Sequence, residues 1–491
     1  MKRIGVLLGI LSIAVSNGAL CGHNDTDRTF LNMQQVQDRP LISAFAENLR
    51  DQRCQSSHDD TKSTMKMDVT ITPFFNQTFD SKNIGRYFGS ANSNVITAKD
   101  IATVRTESVA QFALASIFRD LTNGFRLFFT NTSQQATITL NPRQRSIGSH
   151  FGIAIKMNGD LEGLSLRLNS AVVRNTNDLK KTITEDTPRT SQPSTVSDYL
   201  AGRGFSDFQE ALTAGKIDVN SHSHTGIDDI NAQLRYTILD QDDRAIESYI
   251  DVLVPTGNKP TGKFLFESIV GTRSFQMGLG ACGRTNLYEN DDASTRTWIE
   301  GNALWRYGFA GAQDRVISPN IATWDQYYLT TNINNVANTQ VFVPAANLLL
   351  QKINVTPGNI FKAEAQLCAI YKKMSGQCGY QLCYKQEENN SRTASWNDNT
   401  TYLILDTYNI TLSAQTNIAN GDAIVVNQVN FNINHPEQIF HSFFATLGYT
   451  GTCKNDSVAW ALALGASFNT SGNGQAAPRS WDIFGKVGIT F

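Results

Sequence analysis

After residue 21 the chain has no long unbroken apolar stretch, so a membrane-spanning helix is not expected. It also has no excess of basic charge. Forty-two Lys and Arg against 44 Asp and Glu leave a net charge of −2, and the sequence pI is about 6.4. Nucleic acid is therefore not an expected partner. There is no Cys-x-x-Cys pair, and Cys378 and Cys383 lack the second pair or nearby His of a metal knot. No Gly-x-Ser-x-Gly, phosphate-binding loop or metalloprotease helix motif is present. His441 and Ser442 are adjacent, so on a strand they face opposite sides and cannot act together. The expectation is a protein that is not an enzyme, with no metal and no cofactor. Charged residues are only 18% of the chain and hydrophobic ones 41%, with 27 Phe. Mean hydropathy is −0.27, which suits β-strands that are apolar on one face only.

The N-terminus reads as a secretory signal peptide over residues 1–21. Met1-Lys2-Arg3 is a basic start, Ile4 to Val15 is apolar but short for a membrane span, and small residues follow up to Cys21. Cleavage after Gly18 or after Cys21 has a small residue at −3. Lipidation of Cys21 is the weaker alternative, because Leu20 fits a lipobox poorly. Six cysteines then remain, in a compartment that permits disulfides. Export without an apolar helix leaves a closed barrel as the way to span a membrane. Residues 22–63 are polar, with one amphipathic patch at Leu41, Ile42, Phe45, Ala46 and Leu49. They are expected to be a periplasmic leader, with a plug or docking helix as the alternative.

From residue 68 the hydrophobic period becomes two. In residues 458–468 one face carries Val458, Trp460, Leu462, Leu464 and Phe468, and the other Ala459, Ala461, Ala463, Gly465 and Ser467. Ile230 to Ile238, Ile246 to Val254, Leu164 to Val172 and Phe361 to Tyr371 alternate likewise. Strands are expected near 68–79, 135–157, 163–174, 229–240, 244–256, 274–288, 296–309, 360–373, 377–388, 438–452, 457–470 and 480–491, with 402–414 a further candidate. The links between them alternate long and short, which is the pattern of outer-membrane barrels. A soluble sandwich has no reason to sort its loops this way. The fold expected is all-β: a transmembrane antiparallel up-and-down barrel of about twelve strands (ten to fourteen) over residues 64–491. Its long extracellular loops would carry short helices, among them Val109 to Arg119 and Val196 to Leu212, and both termini would be periplasmic.

The chain ends Trp481-Asp482-Ile483-Phe484-Gly485-Lys486-Val487-Gly488-Ile489-Thr490-Phe491. Trp481, Ile483, Val487, Ile489 and the terminal Phe491 share one face. This resembles the C-terminal targeting strand of Gram-negative outer-membrane barrels, which the barrel-insertion machinery reads as an edge strand. Residues 254–271 (Val254-Pro255-Thr256-Gly257 through Val270-Gly271) and Gly379-Tyr380-Gln381-Leu382-Cys383-Tyr384-Lys385 resemble segments of a set of uncharacterised porin-like or surface-antigen barrels. The resemblance implies the fold and an outer-membrane location, with lipid and the insertion machinery as partners. It implies no activity.

With the faces set this way, His150, Lys156, Arg167, Arg235, Glu247, Asp251, Glu300, Arg306, Lys362, Glu364 and Lys385 point inward, with Asn169, Gln276, Asn302 and Gln381. They are candidates to line a hydrated pore for small solutes; a lumen filled by salt-bridged side chains is the alternative. Cys368 and Cys383 fall on neighbouring strands and one face, opposite or one diagonal apart; two buried thiols are expected, with a cross-strand disulfide as the alternative. His222-Ser223-His224 with Asp228 and Asp229 could hold a metal, but is expected to be a solvated polar loop. Two functions remain: a passive channel for small solutes, and a structural or adhesive surface antigen whose barrel is plugged and whose loops do the work. The oligomeric state is not readable from these patterns.

Overall fold

A computed structural model of the chain describes residues 30–31, 33–41, 65–88, 93–99, 135–157, 161–185, 213–217, 221–241, 243–290, 294–317, 326, 329–332, 342–392, 402–404, 434–452, 458–472 and 477–491. Thirteen strand segments form one antiparallel sheet. They are β1 Met65–Thr78, β2 Arg143–Met157, β3 Leu164–Asp178, β4 His222–Ile227, β5 Ile230–Gln241, β6 Arg244–Val254, β7 Gln276–Glu289, β8 Thr295–Gly308, β9 Ile360–Tyr371, β10 Met374–Lys385, β11 Gln438–Thr452, β12 Ala459–Ser471 and β13 Ser480–Thr490. β4 and β5 pair end to end along β3 and make one stave, interrupted at Asp228 and Asp229. β1 pairs with both β2 and β13, and β2 with β3, so the wall closes as a twelve-stave barrel. Closure gives the staves ladder partners on both sides, as a backbone in hydrocarbon requires; among the described residues β4 pairs with β3 alone, so the extension of its stave toward the long-loop end has a free edge.

The link lengths sort by end. Residues 158–163, 242–243, 290–294, 372–373 and 453–458 make short connections at one end; residues 79–142, 179–221, 255–275, 309–359 and 386–437 make long ones at the other, where 472–479 is the one brief link. β1 starts and β13 finishes at the short-turn end. Among the described residues no helix is long and apolar enough to cross a membrane. The outer face carries the large apolar side chains: Leu447 and Leu464 are cross-strand partners, 72% and 66% exposed. With Ile147, Leu279, Phe361, Phe443, Ile483 and Val487 they belong to an apolar surface that water would penalise and lipid accepts. Aromatic rings gather toward both ends of the staves. Phe75 with Trp481, Phe79 with Phe468 and Phe275 with Phe309 lie at the long-loop end, and Tyr449 with Trp460 at the short-turn end.

Twelve staves agree with the twelve strands expected; three details differ. Residues 135–157 are not one strand: Gln135–Thr139 leaves the wall and pairs with Val95–Lys99 and Thr182–Glu185. Pro142 has no N–H to continue the ladder. The fourth stave starts at His222 rather than near 229, so His222, Ser223 and His224 are strand and not loop. Tyr402–Ile404 pairs with Leu329–Asn332 in a small sheet outside the barrel. A helix that the alternation did not announce, α1 Ser81–Phe88, follows β1 and buries Ile84, Tyr87 and Phe88. Their i, i+3, i+4 spacing was present in the sequence. The helical stretches expected at 109–119 and 196–212 lie outside the described residues.

Candidate functional site in the barrel lumen

The inward face is largely polar because most inward positions of the staves are polar; Phe74, Phe444, Phe484 and the β12 residues Ala459, Ala461 and Ala463 are among the apolar exceptions. The eleven candidate residues all lie on that face. Arg235, Glu247, Asp251, Glu300, Arg306, Lys362, Glu364, Lys385 and His150 are buried, and Lys156 and Arg167 are half-buried. They meet in several small groups. Arg306 Nε is 2.5 Å from Asp251 Oδ2, and Asn231 and Gln233 donate to the same carboxylate at 2.8 Å. Nearer the short turns, Arg235 pairs with Glu247 at 3.2 Å and lies over the Tyr249 ring, whose hydroxyl donates to Asn302 at 2.7 Å. On β8 and the adjacent β9 and β10, Glu300 accepts from Trp298 at 2.7 Å and from Gln366, and Glu364 accepts from Gln381 at 3.3 Å. His150 stands apart, with buried Thr72 as its β1 cross-strand partner.

A segment that strand periodicity could not place fills the upper lumen. Residues 30–31 and 33–41, with a single turn of 3-10 helix at Val36–Asp38, are buried inside the barrel at the long-loop end. A periplasmic leader does not describe these residues. The Asp38 carboxylate is 2.7 Å from Lys362 Nζ, 2.7 Å from Lys385 Nζ and 3.9 Å from Arg306. Burial alone would raise that carboxyl; Lys362, Lys385 and Arg306 outweigh burial and hold it well below the usual carboxylate range. Lys362 also donates to the Gln37 carbonyl at 2.6 Å, and the Gln37 amide donates to the Asp229 carbonyl at 3.0 Å. Arg39 meets Asp482 of β13 at 3.3 Å and lies over the Phe74 ring. Val36 and Leu41 pack with Phe74, Ala171, Val173, Val270, Phe444 and Phe484. Asp38, Arg39 and Asp482 were not among the candidates. Asp482 was detectable, since it shares the inward parity of Phe484 and Lys486.

The upper end of the segment is held by the loops. Phe30 sits between the guanidinium groups of Arg315 and Arg273, at 3.9 and 4.9 Å from its ring centre. Both reach Glu388, at 2.8 and 4.0 Å. Burial would raise the Glu388 carboxyl, but the arginines hold it down to about 2. Tyr87 of α1 donates to the Phe30 carbonyl at 2.6 Å and lies against His435, which burial pushes down to about 3. The loop at 255–273 closes this side: Glu267 accepts from the Thr261 and Gly262 amides, and Asp229 accepts from Thr272, Thr256 and Gly257. Below the segment lies a cavity of about 100 Å³. Gln37, Arg39, Asp68, Arg167, Asn169, Gln233, Arg235, Asn302, Arg306, Lys362 and Glu364 line it.

The disulfide alternative is removed: Cys368 and Cys383 are free, buried thiols. Cys383 pairs with Lys362 and Cys368 with Gln377, so the two sulfurs share a face but stand six register positions apart, beyond disulfide reach. The expectation ended β9 two residues and started β10 three residues too late, and together these moved the partner by five positions. His222 and His224 lie on one face of β4, where His222 stacks on Phe264. Among the described residues no three His, Cys, Asp or Glu side chains are grouped to hold a metal. His441 faces outward against Tyr380 while Ser442 is buried inside.

No family model matches this sequence, and no curated protein matches it. Among solved structures, an outer-membrane channel from Pseudomonas putida F1 is similar at 11% identity and a TM-score of 0.37, over 89% of this chain and 99% of that one. A FadL homologue from Pseudomonas aeruginosa has 10% identity and a TM-score of 0.27, over 87% and 90%. The NanC porin has 7% identity and a TM-score of 0.25, over 70% and 93%. The closed wall, the apolar outer face with aromatics toward both ends, and the polar interior make this chain a transmembrane β-barrel of the outer-membrane type.

Proposed function

We propose that the barrel is an outer-membrane channel for small polar solutes, closed at rest on its long-loop side by Phe30–Leu41, with the short-turn end toward the periplasm. The observation that carries this reading is the way the lumen is stoppered. The wall's inward face stays polar, and a cavity lies directly beneath a short segment held by side-chain ion pairs rather than by strand pairing. A barrel built only as an anchor has no need of a polar interior sealed by a removable piece. The reading assigns the protein transport and not catalysis.

Planar-bilayer recording tests it. The full chain should show rare or small openings, and a variant lacking residues 30–41 should show frequent stepwise conductance. Silence of the deletion variant, with its barrel intact by the migration shift between unboiled and boiled samples, would exclude the channel.

A second reading, a surface antigen with a permanently plugged barrel, is favoured by the loop contacts that clamp Phe30. It predicts that proteolytic shaving of the loops abolishes surface binding while both forms stay silent.

A further inference from the structure

We propose that Arg306, Lys362 and Lys385 form a binding site for a small carboxylate solute, which Asp38 of the chain's own N-terminal segment occupies at rest. This rests on the channel reading and names the chemical class of the solute. The three cations come from adjacent staves β8, β9 and β10. Arg306 is paired across the ladder with Ile360, Ile360 with Lys385, and Lys362 follows two residues further along β9. The grouping is therefore a property of the wall and does not need the segment to create it.

Within the wall, Asp251 takes Arg306 itself, with Asn231 and Gln233, and Glu364 accepts from Gln381, while the loop acid Glu388 takes Arg315 and Arg273. Of the three cations, the two lysines are the ones left without an acid of the wall among the described residues. Among the described ion pairs, Asp38 is the acid that Lys362 and Lys385 meet. Two ammonium groups, both buried and one beside a guanidinium, are costly without an anion between them. When Asp38 leaves, an anion must replace it or the lysines must become hydrated or lose protons. A free carboxylate of the same shape meets the same two ammonium groups. Solute binding and release of the segment are then one competition for one site. The preformed occupant lowers the apparent affinity for any free ligand by the fraction of time the site is empty.

The test uses [13C]acetate, the smallest mimic of the Asp38 side chain, titrated by NMR into full-length protein in detergent micelles. Asp38→Ala should bind acetate saturably, and wild type roughly tenfold or more weaker. Lys362→Gln with Lys385→Gln in the Asp38→Ala background should abolish binding. Asp38→Asn serves if the alanine variant does not fold, with the unboiled gel shift reporting folding. Absence of saturable binding to the folded Asp38 variant, or binding indifferent to the two lysines, overturns the site. The readout involves no current. Acetate binding in a silent barrel would sink the channel and leave the site, whereas a conducting variant that ignores acetate would sink the site and leave the channel.

Discussion

Asp482 shows what one inward residue contributes. Its carboxylate meets Arg39 at 3.3 Å and accepts from Asn76 and Ser467 at 2.8 Å and from Asn469 at 2.7 Å, with none of the side chain exposed. It ties β1, β12 and β13 to each other and to the lumen segment. Asp482→Ala would leave a buried guanidinium without its anion and several donors without an acceptor. We expect a loss of about 3–5 kcal/mol, read as a lower midpoint of the heat-dependent gel shift; an unchanged midpoint would show the network to be dispensable. At this scale the alternation of polar and apolar residues told which way a side chain points, and the eleven inward residues followed from it. It could not tell what each would meet. Arg39 and Asp482 are separated by 443 positions, and a local period carries no information about partners so distant.

A recurring device holds the staves in register: an inward aromatic faces a glycine on the next strand. Phe74 is paired with Gly148, Phe444 with Gly379, Phe484 with Gly465 and Tyr249 with Gly280. In each pair the ring fills the space that a β-carbon on the glycine would need, or crowds it. Phe74, Phe444 and Phe484 are the rings on which Val36 and Leu41 rest, so wall packing and plug seating share the same side chains. Gly465→Val should push the Phe484 ring toward the lumen, lower stability by about 1–3 kcal/mol and lengthen channel openings. Phe484→Leu in the same chain should restore both; a valine variant with wild-type midpoint and openings would separate the glycine from the plug. Staves were legible as elements because period two persists for 11–15 residues. Register was less so. Errors of two residues at the end of β9 and three at the start of β10 together moved Cys383 from opposite Lys362 to beside Cys368, since the tight turn at 372–373 was read as a turn at 374–376.

The two ends of the molecule have different chemistry, and pH should separate them. The short-turn end consists of ladder and brief turns. The long-loop end holds Phe30 through Arg315, Arg273, Glu388, Tyr87 and His435, a cluster whose charge states depend on being buried. His435 falls from an ordinary 6.5 to about 3, so the unfolded loop takes up a proton that the folded one refuses, and its share of stability is lost as pH drops from about 6.5 toward 3. Glu388 falls from 4.5 to about 2, so its pairing with the two arginines is complete above pH 4.5 and is lost below that, toward 2. Both act in the same direction, and acid should loosen the cap while the barrel wall persists. Hydrogen exchange, corrected for intrinsic rates, should show protection of the Glu388 amide, which donates to the His435 carbonyl, falling in two overlapping stages, one from pH 6.5 toward 3 and one from 4.5 toward 2. His435→Asn should remove the upper stage and leave the lower. Protection that stays flat from pH 7 to 4 in wild type would mean that His435 titrates without opening the loops. Where the cap does loosen, Phe30 loses its clamp before Asp38 loses its lysines, and channel openings in bilayers should become more frequent as the pH on the long-loop side is lowered.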